Sequence, residues 1–408
     1  MPDNGARGAA DVTLAPLHPT NRRHLAVLGG DLGIFQHARL SVPDPEHGHC
    51  VDDVARALEV DLLHARTLGW DAVAESTRRN IQFLEEAFDE PSGRFLNFRS
   101  VGGDWIGGPG SNDSLGRAML ALGETIAGAP DAHLAEQAIE LFSRALKAAA
   151  RVASPRAQAS VVLGCAAVAR SSALAGSAEA RDLALRRDAT EMMRSLATGL
   201  HARFLERARP GWPWPEDALT YENALLPRAL IVAGHRGRTE TMVGIGLQVL
   251  NWLIDVQTAP EGHLSPIGNG WWAFDGERSK FDQQPIEATA LLLAAEAAYE
   301  ATGDPRYRLA MERCYAWFLG SNDLGLRIAH PARGAGADGL TPKGVNRNEG
   351  AESTLMWLMA AEHIRALRAA EPRVMVPMQA GRAARPLQPA RQGVAAGHAA
   401  TDRTGVPA

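Results

Sequence analysis

Three cysteines in 408 residues, at positions 50, 165 and 314, are too few and too scattered for a disulfide framework or a CxxC metal pair. No apolar run nears the roughly 20 residues that span a bilayer. Residues 1–16 are small and polar and lack the apolar core of a secretory leader. The expectation is a cytoplasmic protein with no membrane span. Positive charge is not in excess either: the formal net charge is −5, which excludes the basic footprint of a nucleic-acid binder. No GxxxxGK[ST] loop and no strand-flanked GxGxxG occurs, so no nucleotide cofactor is expected. Strand-like alternation of Val, Ile and Thr is rare.

What remains is helical. Composition is that of a globular chain, with 46% hydrophobic and 22% charged residues. One set of segments, at 20–31, 71–89, 131–150, 178–207, 238–257 and 304–319, has charged faces and an apolar stripe. A second set, at 51–67, 113–127, 156–173, 219–234, 284–300 and 350–368, is rich in Ala and Leu with few charges, as helices buried on most sides are. The two sets alternate six times, the signature of stacked helical hairpins. Six hairpins closing on themselves predict an all-α (α/α)6 barrel over 17–370, a single toroid domain. The polar ends at 1–16 and 371–408 are predicted to be disordered.

The segments leading into the second set hold the unusual chemistry. Five of the nine Trp fall there: Trp105, Trp212, Trp214, Trp271 and Trp272. Indole faces in a polar cleft stack on sugar rings, while carboxylates and amides bind hydroxyls. Acids recur at the same helix starts: Asp52, Asp53, Asp113, Glu222, Asp282, Glu287, Glu349 and Glu352. First-turn acids also serve as caps, favoured by free N–H groups and the helix dipole. Glu222 in TYEN, Glu349 in NRNEG, and Glu287 and Glu352 within nearly uncharged helices fit that role less well. The third helix of the set begins SPRAQ, without an acid.

Paired carboxylates are what glycosidic bond chemistry needs, one protonated to donate to the leaving oxygen and one ionised. Across a ring the first and fourth inner helices face each other, so Asp53 and Glu222 form one candidate pair; Asp282 and Glu349 form another. These four are the catalytic candidates. His37, Asp52, Asp113, Tyr221, Gln283, Gln284, Glu287, Asn346, Arg347, Asn348 and Glu352, with the five Trp, are the candidates for binding substrate. His37, His47, His49 and Cys50 cluster, but no second half of a ligand set is visible, so no metal is expected. DDVAR (52–56) has the acidic start of an isoprenoid-cyclase motif, with Arg56 where a further acid is needed. Gly102, Gly103, Gly107, Gly108 and Gly110 predict a flexible rim loop.

QHA (36–38), HGHCVDDVARAL (47–58), NDSLGRAM (112–119), FDQQPIEA (281–288) and NRNEGAEST (346–354) together resemble a bacterial group within the six-hairpin glycosidase superfamily. That group also occurs fused to glycosyltransferases. The resemblance spans about 30–368. It implies the toroid, a sugar or oligosaccharide substrate and a glycosyltransferase partner. The expected function is a glycoside hydrolase. A non-catalytic saccharide-binding partner of a glycosyltransferase, or an epimerase or lyase on the same fold, is the alternative. FDQQPIEA also looks like sugar 2-epimerases of this fold, although His201, His235 and His263 match no motif of theirs.

Overall fold

The computed structural model describes residues 14–176 and 179–370. Most of the two ends expected to be disordered, 1–16 and 371–408, lies outside them. In chain order the first helices are α1 (Arg23–Leu28), α2 (Val51–Leu68), α3 (Ala74–Ala87), α4 (Asn112–Gly128), α5 (Ala132–Ala149), α6 (Pro155–Arg170) and α7 (Ser172–Gly176). They are followed by α8 (Ala180–Arg207), α9 (Leu225–Gly237), α10 (Glu240–Val256), α11 (Pro285–Thr302), α12 (Pro305–Phe318) and α13 (Ala351–Ala369).

Their starts are written locally. Ser111, Asp131, Ser154 and Asp304 accept first-turn amide hydrogens at α4, α5, α6 and α12, while Pro155, Pro285 and Pro305 occupy first helical positions where no amide hydrogen is needed.

The low-charge helices α2, α4, α6, α9, α11 and α13 pack each against the next, and α13 returns to pack against α2. The charge-faced helices stand outside them: α3 on α2, α5 on α4, α8 on α6, α10 on α9, α12 on α11. The sixth outer position is filled from the other end of the chain, by α1 on α13. This closed double ring is an (α/α)6 barrel. Residues just before α1 seal it: Arg368 donates to the Ala15 carbonyl at 2.9 Å, Tyr315 to that of Pro16 at 3.0 Å, and Arg365 to that of His18 at 2.6 Å.

Helices α4 and α6 approach closely, at a pair of glycines. A side chain added at Gly123 would run into the Gly164 backbone, and one added at Gly164 into that of Met119 and Leu120. Two hydrogen side chains let the helices touch backbone to backbone.

The scarcity of strand signal was a poor guide at the rim. A five-stranded antiparallel sheet is built from β1 (Phe35–Arg39), β2 (Val42–Cys50), β3 (Phe88–Asp89), β4 (Arg94–Arg99) and β5 (Trp105–Pro109), in the order β1-β2-β4-β3 with β5 also on β4. These strands carry His, Arg, Pro and Gly, and register shifts interrupt two of their pairings, so clean alternation is lost. Part of the glycine stretch expected to be a flexible loop is β5 itself. The sheet and the entry segments of the inner helices lie at one end of the ring.

Replacing Gly164 by Ala is expected to cost about 1–3 kcal/mol by overpacking, read as a fall in the unfolding temperature. Gly244→Ala on α10, where nothing lies within 4 Å of an added Cβ, is the control and should be neutral or stabilising.

Candidate active site

Because the inner helices run parallel, their first turns converge, and a cavity of about 580 Å³ opens there. Its wall includes Asp52, Asp53 and Arg56 of α2, Asp113 and Arg117 of α4, Gln284 just before α11 and Glu352 of α13. His37, Tyr221, Asn269, Trp271, Asp338 and Asn346 come from the segments between. Five carboxylates thus face two guanidinium groups and one imidazole.

The two guanidinium groups are clamps. Arg56 donates to Asp53 Oδ1 at 2.9 Å and pairs with Glu352 at 2.8 Å, joining the first inner helix to the last. Arg117 pairs with Glu222 at 2.6 Å and stands 4.0 Å from Asp52 Oδ1. Both lie one helical turn beyond an acid, on otherwise apolar faces, which is the signal that could have identified them in the sequence.

Burial dominates the acids' titration. It pushes Asp53 up to about 6 against the opposing pull of Arg56, and it raises Asp52 as well. Asp53 is engaged on both oxygens, by Arg56 and by the Cys50 thiol at 3.2 Å. Burial and the adjacent Asp53 hold that thiol well above its ordinary range. Asp52 differs, because its Oδ1 is buried and accepts no hydrogen bond. Burial raises Asp338 too, although the Gly350 amide donates to it at 3.1 Å.

On the other side Tyr221 donates its hydroxyl to Asp113, which also accepts from Ser154 at 3.2 Å. The third inner helix, whose entry lacks an acid, supplies Arg156 instead. Its guanidinium lies over the Tyr221 ring at 4.6 Å and donates to the Tyr221 carbonyl at 2.6 Å. Glu222 has φ of +47°, a costly backbone state for a side-chain-bearing residue. The Glu222 amide donates to Glu287, which also accepts from Asn223 Nδ2 at 3.0 Å and is pushed up to about 7 by burial. Glu287 therefore braces the segment that carries Tyr221 and Glu222.

The remaining expected residues lie elsewhere. Asp282 is exposed and outside the cavity wall, and its φ is +58°. Glu349 is 3% exposed and turned toward Arg333 at 2.5 Å and His330 at 3.5 Å, away from the cavity. Gln283 is fully buried and satisfied by Lys280, Asp323 and Trp317. Asn348 accepts from the Leu40 amide at 3.0 Å, tying its loop to the β1–β2 turn, and Arg347 is exposed beyond the wall.

Of the five entry Trp, only Trp271 lines the cavity; it is 49% exposed and has φ of +62°. Trp212 and Trp214 are core residues whose indoles donate to the Glu216 and Ala218 carbonyls at 3.0 Å. Trp272 stacks on Trp252, and Trp105 packs edge-on against Phe83. Each loop needs an apolar anchor, and these indoles supply it. None of His201, His235 and His263 lines the cavity. Among the described residues one cluster, Asp44, Glu46 and His47, has metal-like spacing, but Arg39 pairs with both acids.

No protein-family model and no curated protein matches the sequence. Solved structures do match it. Cellobiose 2-epimerase from Bacillus thermoamylovorans B4167 superposes with a TM-score of 0.62 over 85% of this chain and 96% of its own, at 12% identity. The chain has the fold of the six-hairpin glycosidases. Cellobiose 2-epimerase from Spirochaeta thermophila DSM 6192 gives a TM-score of 0.62 at 13% identity, over 84% of this chain and 93% of its own. A GH76 α-mannanase from Bacteroides thetaiotaomicron gives 0.54 at 9% identity, over 85% and 95%. Epimerases and a hydrolase share this six-hairpin scaffold, so the likeness extends to the fold and not to one reaction. No helix among the described residues is long and apolar enough to cross a membrane.

An acid whose folded pKa is raised favours the fold most when protonated. The contribution of Asp53 is therefore complete below about pH 4 and is lost as pH rises through about 6. Unfolding measured at several pH values should show Asp53→Asn gaining stability relative to the wild type across that window. A constant difference would contradict the raised pKa.

Proposed function

We propose that this protein hydrolyses a glycosidic bond in a neutral oligosaccharide, with Asp52 as the proton donor and Glu352 as the ionised carboxylate. The observation that carries the reading is the Asp52 carboxyl: partly buried, raised in pKa, and with one buried oxygen free of any hydrogen-bond donor. Such a group holds its proton at a pH where an ordinary Asp has lost it, and can pass it to a leaving glycosidic oxygen. Glu352 is somewhat more open, with 36% of its side chain exposed against 26% for Asp52, and it pairs with Arg56 at 2.8 Å. An ionised carboxylate there activates water or attacks the anomeric carbon. In this reading Asp53 and Glu222 act through Arg56 and Arg117 and not on the sugar.

The charge balance of the wall favours a neutral sugar. Both guanidinium groups of the wall are already paired with acids, so a carboxylated or phosphorylated sugar finds no unpaired cation there. Trp271 offers a ring face for stacking, and Tyr221, Gln284 and Asn346 offer hydroxyl partners.

One observation favours a second reading. His37 is the single imidazole in the cavity wall, and a base next to a sugar C2 would support epimerisation, the activity named for two of the similar structures. Product analysis separates the readings: hydrolysis releases new reducing ends, whereas epimerisation changes one centre and leaves the chain length unchanged.

Asp52→Asn and Glu352→Gln should each lower release of reducing ends by roughly 10²–10⁴-fold while calorimetric sugar binding stays within a few-fold of wild type. Full turnover in both variants rules out the assignment. Because Asp52 must be protonated to donate, the rate should fall as pH rises through its raised pKa.

A further inference from the structure

The rim sheet turns two unlike faces outward and inward. On one face Arg99 sits opposite Trp105 and His49 across the strands, and its guanidinium lies over the Trp105 ring at 5.2 Å. Trp105 in turn meets Phe83 of α3, so this face is the packed one. On the other face Phe98 pairs across the strands with Cys50 on one side and Ile106 on the other. Residues directly opposite in antiparallel strands share a face. Cys50 and Phe98 both line the cavity, yet Phe98 is 44% exposed and Ile106 is 55% exposed. Next along β5 come Gly107 and Gly108, where even an added Cβ would meet nothing within 4 Å.

Strands stand about 4.8 Å apart, so the row Cys50, Phe98, Ile106 runs about 10 Å outward from the cavity wall. It forms an apolar ledge that begins inside the cavity and ends at an open, glycine-flattened strand.

We infer that this ledge is a distal sugar subsite, in which Phe98 stacks on a sugar unit beyond those in the cavity and so sets a preference for longer chains. The inference rests on the saccharide reading of the cavity. Its chemistry is that of an aromatic platform: an apolar ring face against the C–H face of a pyranose. The occupant is the continuing oligosaccharide because Phe98 belongs to the cavity wall as well as to the ledge.

The experiment is calorimetric binding of neutral gluco- and manno-oligosaccharides, two to six units long, preceded by a glycan array to choose the series that binds. The wild type should bind tetrasaccharide at least about tenfold more tightly than disaccharide. Phe98→Ala should remove about tenfold from tetrasaccharide affinity, and Ile106→Ser should remove part of it. Phe98→Tyr, which keeps the ring, should restore the length preference. Wild-type affinity independent of length, or an unchanged length preference in Phe98→Ala, overturns the ledge while leaving the cavity reading standing. Length-dependent binding without released reducing ends removes hydrolysis and keeps the ledge. No binding anywhere on the array removes both. Sedimentation showing that Phe98→Ala splits a dimer would assign the ledge to a second copy of the chain and overturn the proposal.

Discussion

The seam between α2 and α13 is the constraint on which the other features rest. It joins residues nearly 300 positions apart, and polar bridges hold it at both ends. At the mouth one guanidinium, Arg56, spans Asp53 and Glu352. Toward the base Glu362 accepts from Thr67 of α2 at 2.6 Å and from Thr20 of the N-terminal segment at 2.5 Å. Buried ion pairs contribute little net stability, but a buried charge without its partner is costly. These bridges therefore specify register more than they add strength. Once the register is set, Glu352 stands beside Asp52 and Asp53, and the acidic sector of the cavity exists.

The cavity wall holds its charges in tension. Glu222 and Trp271 both adopt positive φ, a state that side-chain-bearing residues occupy only when their surroundings impose it. For Glu222 the imposing partner is the buried Glu287. Burial raises Asp52, Asp53 and Asp338 beside the clamped cations.

The helices were legible because burial on all sides leaves a clear imprint. The Ala- and Leu-rich run of α11 leaves almost no room for charge, and caps such as Ser154-Pro155 and Asp304-Pro305 mark the starts of α6 and α12. The sheet was not legible, since β2 reads VPDPEHGHC and pairs through bulged hairpins. Within the site, Asp52, Asp53, Asp113 and Glu352 stand out as first-turn acids. Asp338 does not, because it sits in a loop with no period to place it. The Trp count could not separate an indole that anchors a loop from one that faces the cavity. That difference lies in which way each loop turns, as the φ of +62° at Trp271 illustrates.

The pairing of α1 with α13 has a consequence for how the chain reaches its folded state. Five hairpins are contiguous in sequence and can assemble as they emerge from synthesis. The sixth is composite, with its outer helix made before the other ring helices and its inner helix after them. Until α13 arrives, the apolar flanks of α2 and α11 have no neighbour, and α1 has nothing to cover. Closing so long a loop is entropically unfavourable and slow compared with forming hairpins. The final inner helix is thus a keystone delivered after the other ring helices, and the acidic sector of the cavity is completed in the same step.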